Sequence, residues 1–187
     1  MGGLDNKYFL EKDDSVLLIV DIQDRLATVM QERDRVVRNC LNLIELAKMI
    51  NVPVVVTEQY PKGLGHTVAE IQSALPAYQP IEKTSFNCCG EPTFIEAVRK
   101  LRRKKVVLAG METHICCLQT TIGLLQDGFM PHVVQDAVCS RTTENWKAGL
   151  EYMRDVGAVI SCTETVLFQL LKVAGTEEFK KISQRIK

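Results

Sequence analysis

Several features that betray function by composition are missing from this sequence. The net formal charge is zero, 23 lysines and arginines standing against 23 aspartates and glutamates. The broad positive field that gathers nucleic acid or an anionic membrane surface is therefore absent. Only three histidines occur, and no pair of them supports the metal or acid–base chemistry of phosphodiester cleavage. No apolar run reaches the length of a bilayer span, and the opening MGGLDNKYFLEKDD has no apolar signal core. Asn6 stands where myristoylation after Met1-Gly2 requires Ser or Thr. The seven cysteines are odd in number and include no C-x-x-C pair. Cys88-Cys89 and Cys116-Cys117 are adjacent doublets, a poor spacing for zinc. They lie mostly in apolar runs, so reduced thiols are expected in an intracellular, cytoplasmic protein, with organellar association left open. No repeat, linker or low-complexity segment interrupts the chain. Residues 1–187 therefore read as one domain with ample core.

What is present is organised around Lys105 to Leu125. Val106-Val107-Leu108-Ala109 is an apolar, β-rich run that breaks at Gly110. Ile115, Leu118, Ile122 and Leu125 then recur at helical spacing, giving an apolar face. A buried strand feeding a helix is half of a βαβ unit, and open α/β sheets bind ligands at the carboxyl ends of their strands. Cys116 falls at the expected helix start, where unpaired N–H groups and the helix dipole favour negative charge. Its thiol should then ionise more easily than a free cysteine, making it the candidate nucleophile. By position alone it reads more readily as a small buried hydrophobe, the commonest fate of a free cysteine, and other residues of the chain must supply the case for catalysis.

The rest of the chain alternates. Ser15 to Val20 is a continuous apolar run, as in a strand covered on both faces, and it ends on Asp21. Asp21 is equally a base or ion-pair partner at the sheet edge, or a cap for the next turn. A helix is expected from Val36 to Ile50, with Val36, Cys40, Leu43, Ala47 and Ile50 on one stripe. Val54 to Thr57 is the second strand, and the loop Glu58 to Gly65 after it suggests a pocket wall. There Tyr60 either stacks on a substrate or packs on the protein. Further elements are expected as a short helix Ala69–Leu75, a strand near Pro80–Glu82 and a helix opening at Pro92. Beyond Gly128 come a strand Pro131–Val134, a helix Thr143–Asp155 and a strand Gly157–Ile160. Two helices close the chain, one capped by Thr163 and one following Thr176. The basic run Arg99 to Lys105 reads as a solvated helix end rather than a nucleic-acid patch. The fold expected is an α/β three-layer sandwich around a mostly parallel six-stranded sheet.

Three stretches in register resemble the isochorismatase-like (cysteine hydrolase) superfamily: Leu17 to Asp24, Glu82-Lys83-Thr84-Ser85-Phe86, and Gly110 to Thr120. The loop Thr57 to Gly65 is similar to its isochorismatase-domain-containing subgroup. The resemblance implies the strand order 3-2-1-4-5-6 and an Asp–Lys–Cys triad of Asp21, Lys83 and Cys116. It also implies a cis peptide between Met111 and Glu112, with the N–H groups of Glu112 and Cys116 forming an oxyanion hole. Lys83 would lower the thiol's pKa, and Asp21 would take its proton. Tyr60 and Phe86 are the candidate substrate contacts. Thr120 is expected to bond back to the Cys116 carbonyl.

Departures from the superfamily narrow the chemistry. Its nicotinamidases carry an Asp-x-His metal motif after the second strand, where this chain has Thr57-Glu58-Gln59-Tyr60. No metal and no cofactor are therefore expected, and His66 alone does not make that site. The expectation is a cysteine hydrolase for a small amide or carbamoyl compound, assembled as a homo-oligomer (dimer or tetramer), with no nucleic-acid or membrane partner. The alternative is an oligomeric scaffold that keeps the fold without turnover.

Overall fold

A computed structural model describes residues 6–187. The Met1-Gly2 start, read above against myristoylation, lies outside the described residues. Six strands, β1 (Ser15–Val20), β2 (Val54–Gln59), β3 (Ile81–Lys83), β4 (Lys105–Met111), β5 (Met130–Cys139) and β6 (Val159–Ser161), form one sheet in the order β3-β2-β1-β4-β5-β6. All five strand pairings are parallel.

Alternation along the central strands sorts their side chains into two cores. Leu17, Ile19, Val107, Ala109 and Met111 join one cluster with α2 (Arg33–Met49), α8 (Thr163–Leu171) and α9 (Glu177–Arg185). Val16, Leu18, Val20, Val106 and Leu108 join the other with α5 (Pro92–Lys100), α6 (Leu118–Gln126) and α7 (Thr143–Asp155). Covering both faces is what makes β1 and β4 continuous apolar runs. The short helices α1 (Asp24–Ala27), α3 (Pro61–Leu64) and α4 (Ala69–Ala74) lie in the connections. Among the described residues no helix is long and apolar enough to cross a membrane.

Several expectations are corrected. β2 continues through Glu58 and Gln59, both buried. Their polar side chains find hydrogen-bond partners, so polarity does not end the strand. β4 runs through Gly110, whose φ of +141° and lack of Cβ let Val20 approach. β5 is ten residues long and includes Asp136, whose carboxylate accepts from the amide and hydroxyl of Thr163 at 2.7 and 2.9 Å. Thr163 is thus the first residue of α8, capped by a neighbouring strand. Lys105 is no part of a solvated helix end. It opens β4, is 1% exposed, and its ammonium bonds the Phe9 carbonyl. The stripe Ile115–Leu118–Ile122–Leu125 is only half-buried, and α6 instead turns Thr120, Thr121, Gly123 and Leu124 inward.

Candidate active site

The strands are added outward in one direction from β1 through β2 to β3 and in the other from β4 through β5 to β6, so the crevice between the carboxyl ends of β1 and β4 is where an open α/β fold takes a ligand. Asp21 follows β1 directly, in the left-handed region at φ +53°, and is fully buried. Its backbone N–H donates to the Thr57 carbonyl at 3.2 Å, and its Oδ1 accepts from the Thr57 hydroxyl at 2.7 Å. Its Oδ2 accepts from Lys83 Nζ at 2.7 Å, an ion pair with no side-chain exposure on either partner. Lys83, last residue of β3, gives its other two donors to Gln59 Oε1 at 2.8 Å and the Ser85 carbonyl at 3.2 Å. Burial pulls the pKa of this lysine down, but the charge and hydrogen bond of Asp21 together with the neighbouring Cys88 and Cys116 outweigh it and hold the pKa above the ordinary value.

Cys116 is 5% exposed and lies within the electrostatic reach of Asp21, Lys83 and Cys88. It sits inside a π-helical turn, Thr113–Cys117, with α6 beginning at Leu118. The expected readily ionised thiol is corrected here. Burial pushes the Cys116 thiol well up and the Asp21 charge adds to this, while Lys83 opposes them only in part. The resting group is therefore a neutral thiol beside a carboxylate. It can act as a nucleophile only by giving up its proton as it attacks.

The Met111–Glu112 peptide is cis. The Glu112 side chain is clamped by Arg141, whose backbone N–H and Nε donate to its Oε2 at 2.9 and 3.1 Å. The Glu112 carbonyl accepts from Ile115 N and Cys117 N at 3.1 and 3.2 Å, which winds the turn that carries Cys116. Gly149 of α7 packs on that turn so closely that a Cβ there would stand 3.0 Å from the His114 backbone. Thr120 Oγ1 accepts from the Cys88 amide at 3.0 Å. It fastens the loop after β3 onto α6, in place of the bond to Cys116 expected from sequence.

Tyr60 and Phe86, the candidate substrate contacts, are 55% and 51% exposed. Tyr60 follows β2, its N–H bonded to the Lys83 carbonyl at 2.8 Å and its ring laid over Gly63. Phe86 is three residues past Lys83. Thr57 bonds Asp21 and Gln59 bonds Lys83, Cys88 lies beside Thr57, Gln23 bonds Gln59, and Arg141 bonds Glu112; none of these five is singled out by the sequence. The only signal for the first two was a polar run placed where an apolar strand meets the ligand-binding edge.

At the nicotinamidase-type metal position, Glu58 is fully buried and accepts from Thr67 N at 2.6 Å, Thr67 Oγ1 at 2.8 Å and the Tyr78 hydroxyl. His66 Nδ1 lies 3.1 Å from its other oxygen. Burial would raise the Glu58 carboxyl, but the bonds from Tyr78, Thr67 and His66 outweigh it and hold its pKa low. This carboxylate latches the loop to Thr67 and has no third ligand for a metal. Among the described residues no group of three His, Cys, Asp or Glu side chains is disposed to hold one. A cavity of about 860 Å³ lies at the opposite, amino edge of the sheet between α2, α4 and the end of α5. Size alone does not find the chemistry here.

Comparison with known proteins agrees with this layout. The isochorismatase domain family model matches residues 15–165. The chain is 40% identical over 177 residues to the secreted isochorismatase effector Isc1 of Phytophthora sojae, covering 92% of this chain and 84% of that protein. It is 36% identical over 174 residues to isochorismatase domain-containing protein 2 of Bos taurus, covering 92% and 83%. Among solved structures, the MAR1 ribonuclease of Caenorhabditis elegans superposes with a TM-score of 0.88 at 34% identity, covering 95% of this chain and 92% of that one. YcaC from Pseudomonas aeruginosa, solved with hexane-2,5-diol and covalent acrylamide, superposes with a TM-score of 0.89 at 26% identity, covering 95% and 91%.

Proposed function

This chain belongs to the isochorismatase family, and from that membership we propose that it is a metal-independent cysteine hydrolase for a small amide or carbamoyl compound, with Asp21, Lys83 and Cys116 as its catalytic residues. The observation that carries the reading is the buried 2.7 Å Lys83–Asp21 pair set beside a buried thiol. A fold that only needed a core would not bury two opposite charges there, since desolvating them costs several kcal/mol per ion.

The neutral thiol dictates the order of events. As Cys116 Sγ approaches the substrate carbonyl carbon, its proton passes to Asp21 while the C–S bond forms. The oxyanion is held by the N–H groups of Glu112 and Cys116. Asp21 returns the proton to the leaving nitrogen as the C–N bond breaks, leaving a thioester or thiocarbamate on Cys116. Asp21 then takes a proton from water, whose oxygen attacks the acyl carbon, and thiolate departs and is reprotonated. Lys83 keeps the Asp21–Cys116 pair from accumulating net negative charge throughout. Tyr60 and Phe86 flank the mouth as substrate contacts. The covalent acrylamide in the P. aeruginosa relative supports the reading, because acrylamide is an electrophile to which thiols add.

An intact-mass screen against small amides, carbamates and esters tests this. At least one compound should leave an acyl or carbamoyl increment on Cys116, and the increment should vanish in Cys116→Ala. No adduct and no turnover across the panel would favour a non-catalytic scaffold. The ribonuclease named among the relatives gives a second reading, but the zero net charge supplies no field for a polyanion.

The half-buried Ile122 and Leu125 of α6, with Phe168 39% and Val173 61% exposed, support a homo-oligomer, a dimer or tetramer. Light scattering at micromolar concentration should return at least twice the chain mass of 21.0 kDa; a monomer would refute it. Seven free thiols support a reducing, intracellular compartment.

A further inference from the structure

We propose that Gln59 is a positioning residue that holds the Lys83 ammonium in place, and that Gln23 in turn holds Gln59. The inference rests on the Asp21–Lys83–Cys116 reading above. An ammonium has three N–H donors, and those of Lys83 have three acceptors: Asp21 Oδ2 at 2.7 Å, Gln59 Oε1 at 2.8 Å and the Ser85 carbonyl at 3.2 Å. Lys83 therefore acts on Cys116 as a fixed charge rather than as a hydrogen-bond donor. Where that charge sits is decided by its acceptors.

Gln59 is itself bound at every polar atom. Its Nε2 donates to the Thr84 carbonyl at 2.7 Å, its backbone N–H to Gln23 Oε1 at 2.7 Å, and its carbonyl accepts from Gln23 Nε2 at 3.0 Å. Gln23 Nε2 also reaches the Gly65 carbonyl at 2.6 Å. Gln59 and Lys83 are partners in the β2–β3 register. One chain of bonds thus joins the ends of β1, β2 and β3 to the loop that carries Tyr60. Gln23, Gln59 and Lys83 are 0%, 8% and 2% exposed, so water does not compete for these bonds. The network also fixes which way the amide points: turned over, its NH2 would face the ammonium and its oxygen the Thr84 carbonyl.

A carboxylate would accept from an ammonium more strongly than an amide. As an acceptor for Lys83, glutamate would do at least as well, although it gives up the bond to the Thr84 carbonyl. For the thiol the two differ. With glutamine, Asp21 and Lys83 sum to zero charge, whereas a second carboxylate leaves the cluster at −1 and opposes thiolate formation. The groups around the thiol that bear on this are Asp21, Lys83, Cys88 and the neighbouring Cys117.

The test uses the intact protein and iodoacetamide as probe. The alkylation rate at Cys116, resolved by peptide mapping, is followed from about pH 7 to 11 in wild type, Gln59→Glu, Gln59→Met and Lys83→Met. Thiolate ultraviolet absorbance, taken as the difference from the same protein bearing Cys116→Ala, separates a moved pKa from a blocked approach. Gln59→Glu should displace the pH–rate curve to higher pH, slowing alkylation at a given pH by about tenfold, the equivalent of about one pKa unit. Gln59→Met, which loses the acceptor without adding charge, should shift the same way by less than Lys83→Met. Should Gln59→Glu not fold, Gln59→Met decides. If Lys83→Met shifts the curve and the Gln59 variants follow wild type, Gln59 is framework only and the inference is overturned while the triad reading stands. If Lys83→Met itself leaves the curve unmoved, the triad reading falls and this inference with it.

Discussion

Cys116→Ala is expected to lower turnover of any accepted substrate by roughly 10⁶-fold, the scale on which loss of a catalytic nucleophile acts, while Cys117→Ala keeps most of the activity. Both sulfurs are buried and both belong to the core cluster on the α6–α7 side of the sheet. The π-helical turn gives them different neighbours. Cys116 keeps 5% exposure at the crevice, whereas Cys117 keeps none. Cys117→Ala removes one buried sulfur and should cost about 1 kcal/mol of stability, as small deletions from a packed core do. The measurement is turnover of whichever compound labels Cys116, with urea unfolding of each variant to certify folding. Equal loss in both variants with intact folding would mean that the wrong sulfur has been assigned or that the site is structural.

Gly110→Ala is expected to be the most damaging single methyl addition at the sheet edge. At φ +141° an alanine is strained, which costs about 1–3 kcal/mol. Its Cβ would also stand 2.1 Å from the Val20 carbonyl oxygen and 2.8 Å from the Val20 Cβ. The obstacle is backbone, so β1 and β4 must part, adding about 1–3 kcal/mol as overpacking does. The displacement falls on the residues next to Asp21 and to Met111, so Cys116 labelling should drop along with stability. Gly128→Ala is the control: it shares a positive φ of +78° but meets nothing within 4 Å, so only conformational strain remains. Urea midpoints for the two variants, at unchanged m, separate the effects. If Gly110→Ala loses no more than Gly128→Ala, close approach of the strands does not matter here.

Where sequence reading failed, a partner distant in the chain was usually responsible. Glu58 and Gln59 look like loop residues because their polarity is local, whereas the bonds that allow them to continue β2 come from Thr67, Tyr78, Lys83 and Gln23. Thr163 looks like a cap because threonine before glutamate usually is one, and the Asp136 carboxylate that displaces it lies 27 residues away. The stripe on α6 was legible as apolar, but periodicity does not say whether an apolar face meets the core or a second copy of the chain.

The sequence by itself determined the alternation of strands and helices, because apolar runs and capping residues act over a few neighbours. Through three motifs in register it also determined the family and the strand order. Only the tertiary structure decided the charge state of the site. The helix-start argument favoured an ionised Cys116, but ionisation depends on how deeply the thiol is buried and which charges face it. Burial and the Asp21 carboxylate together outweigh Lys83. Tertiary contacts also decided that Lys83 is held by three acceptors drawn from β1, β2 and its own loop. Desolvation and the convergence of charges from separate strands are properties of the assembled sheet, and no local pattern along the chain encodes them.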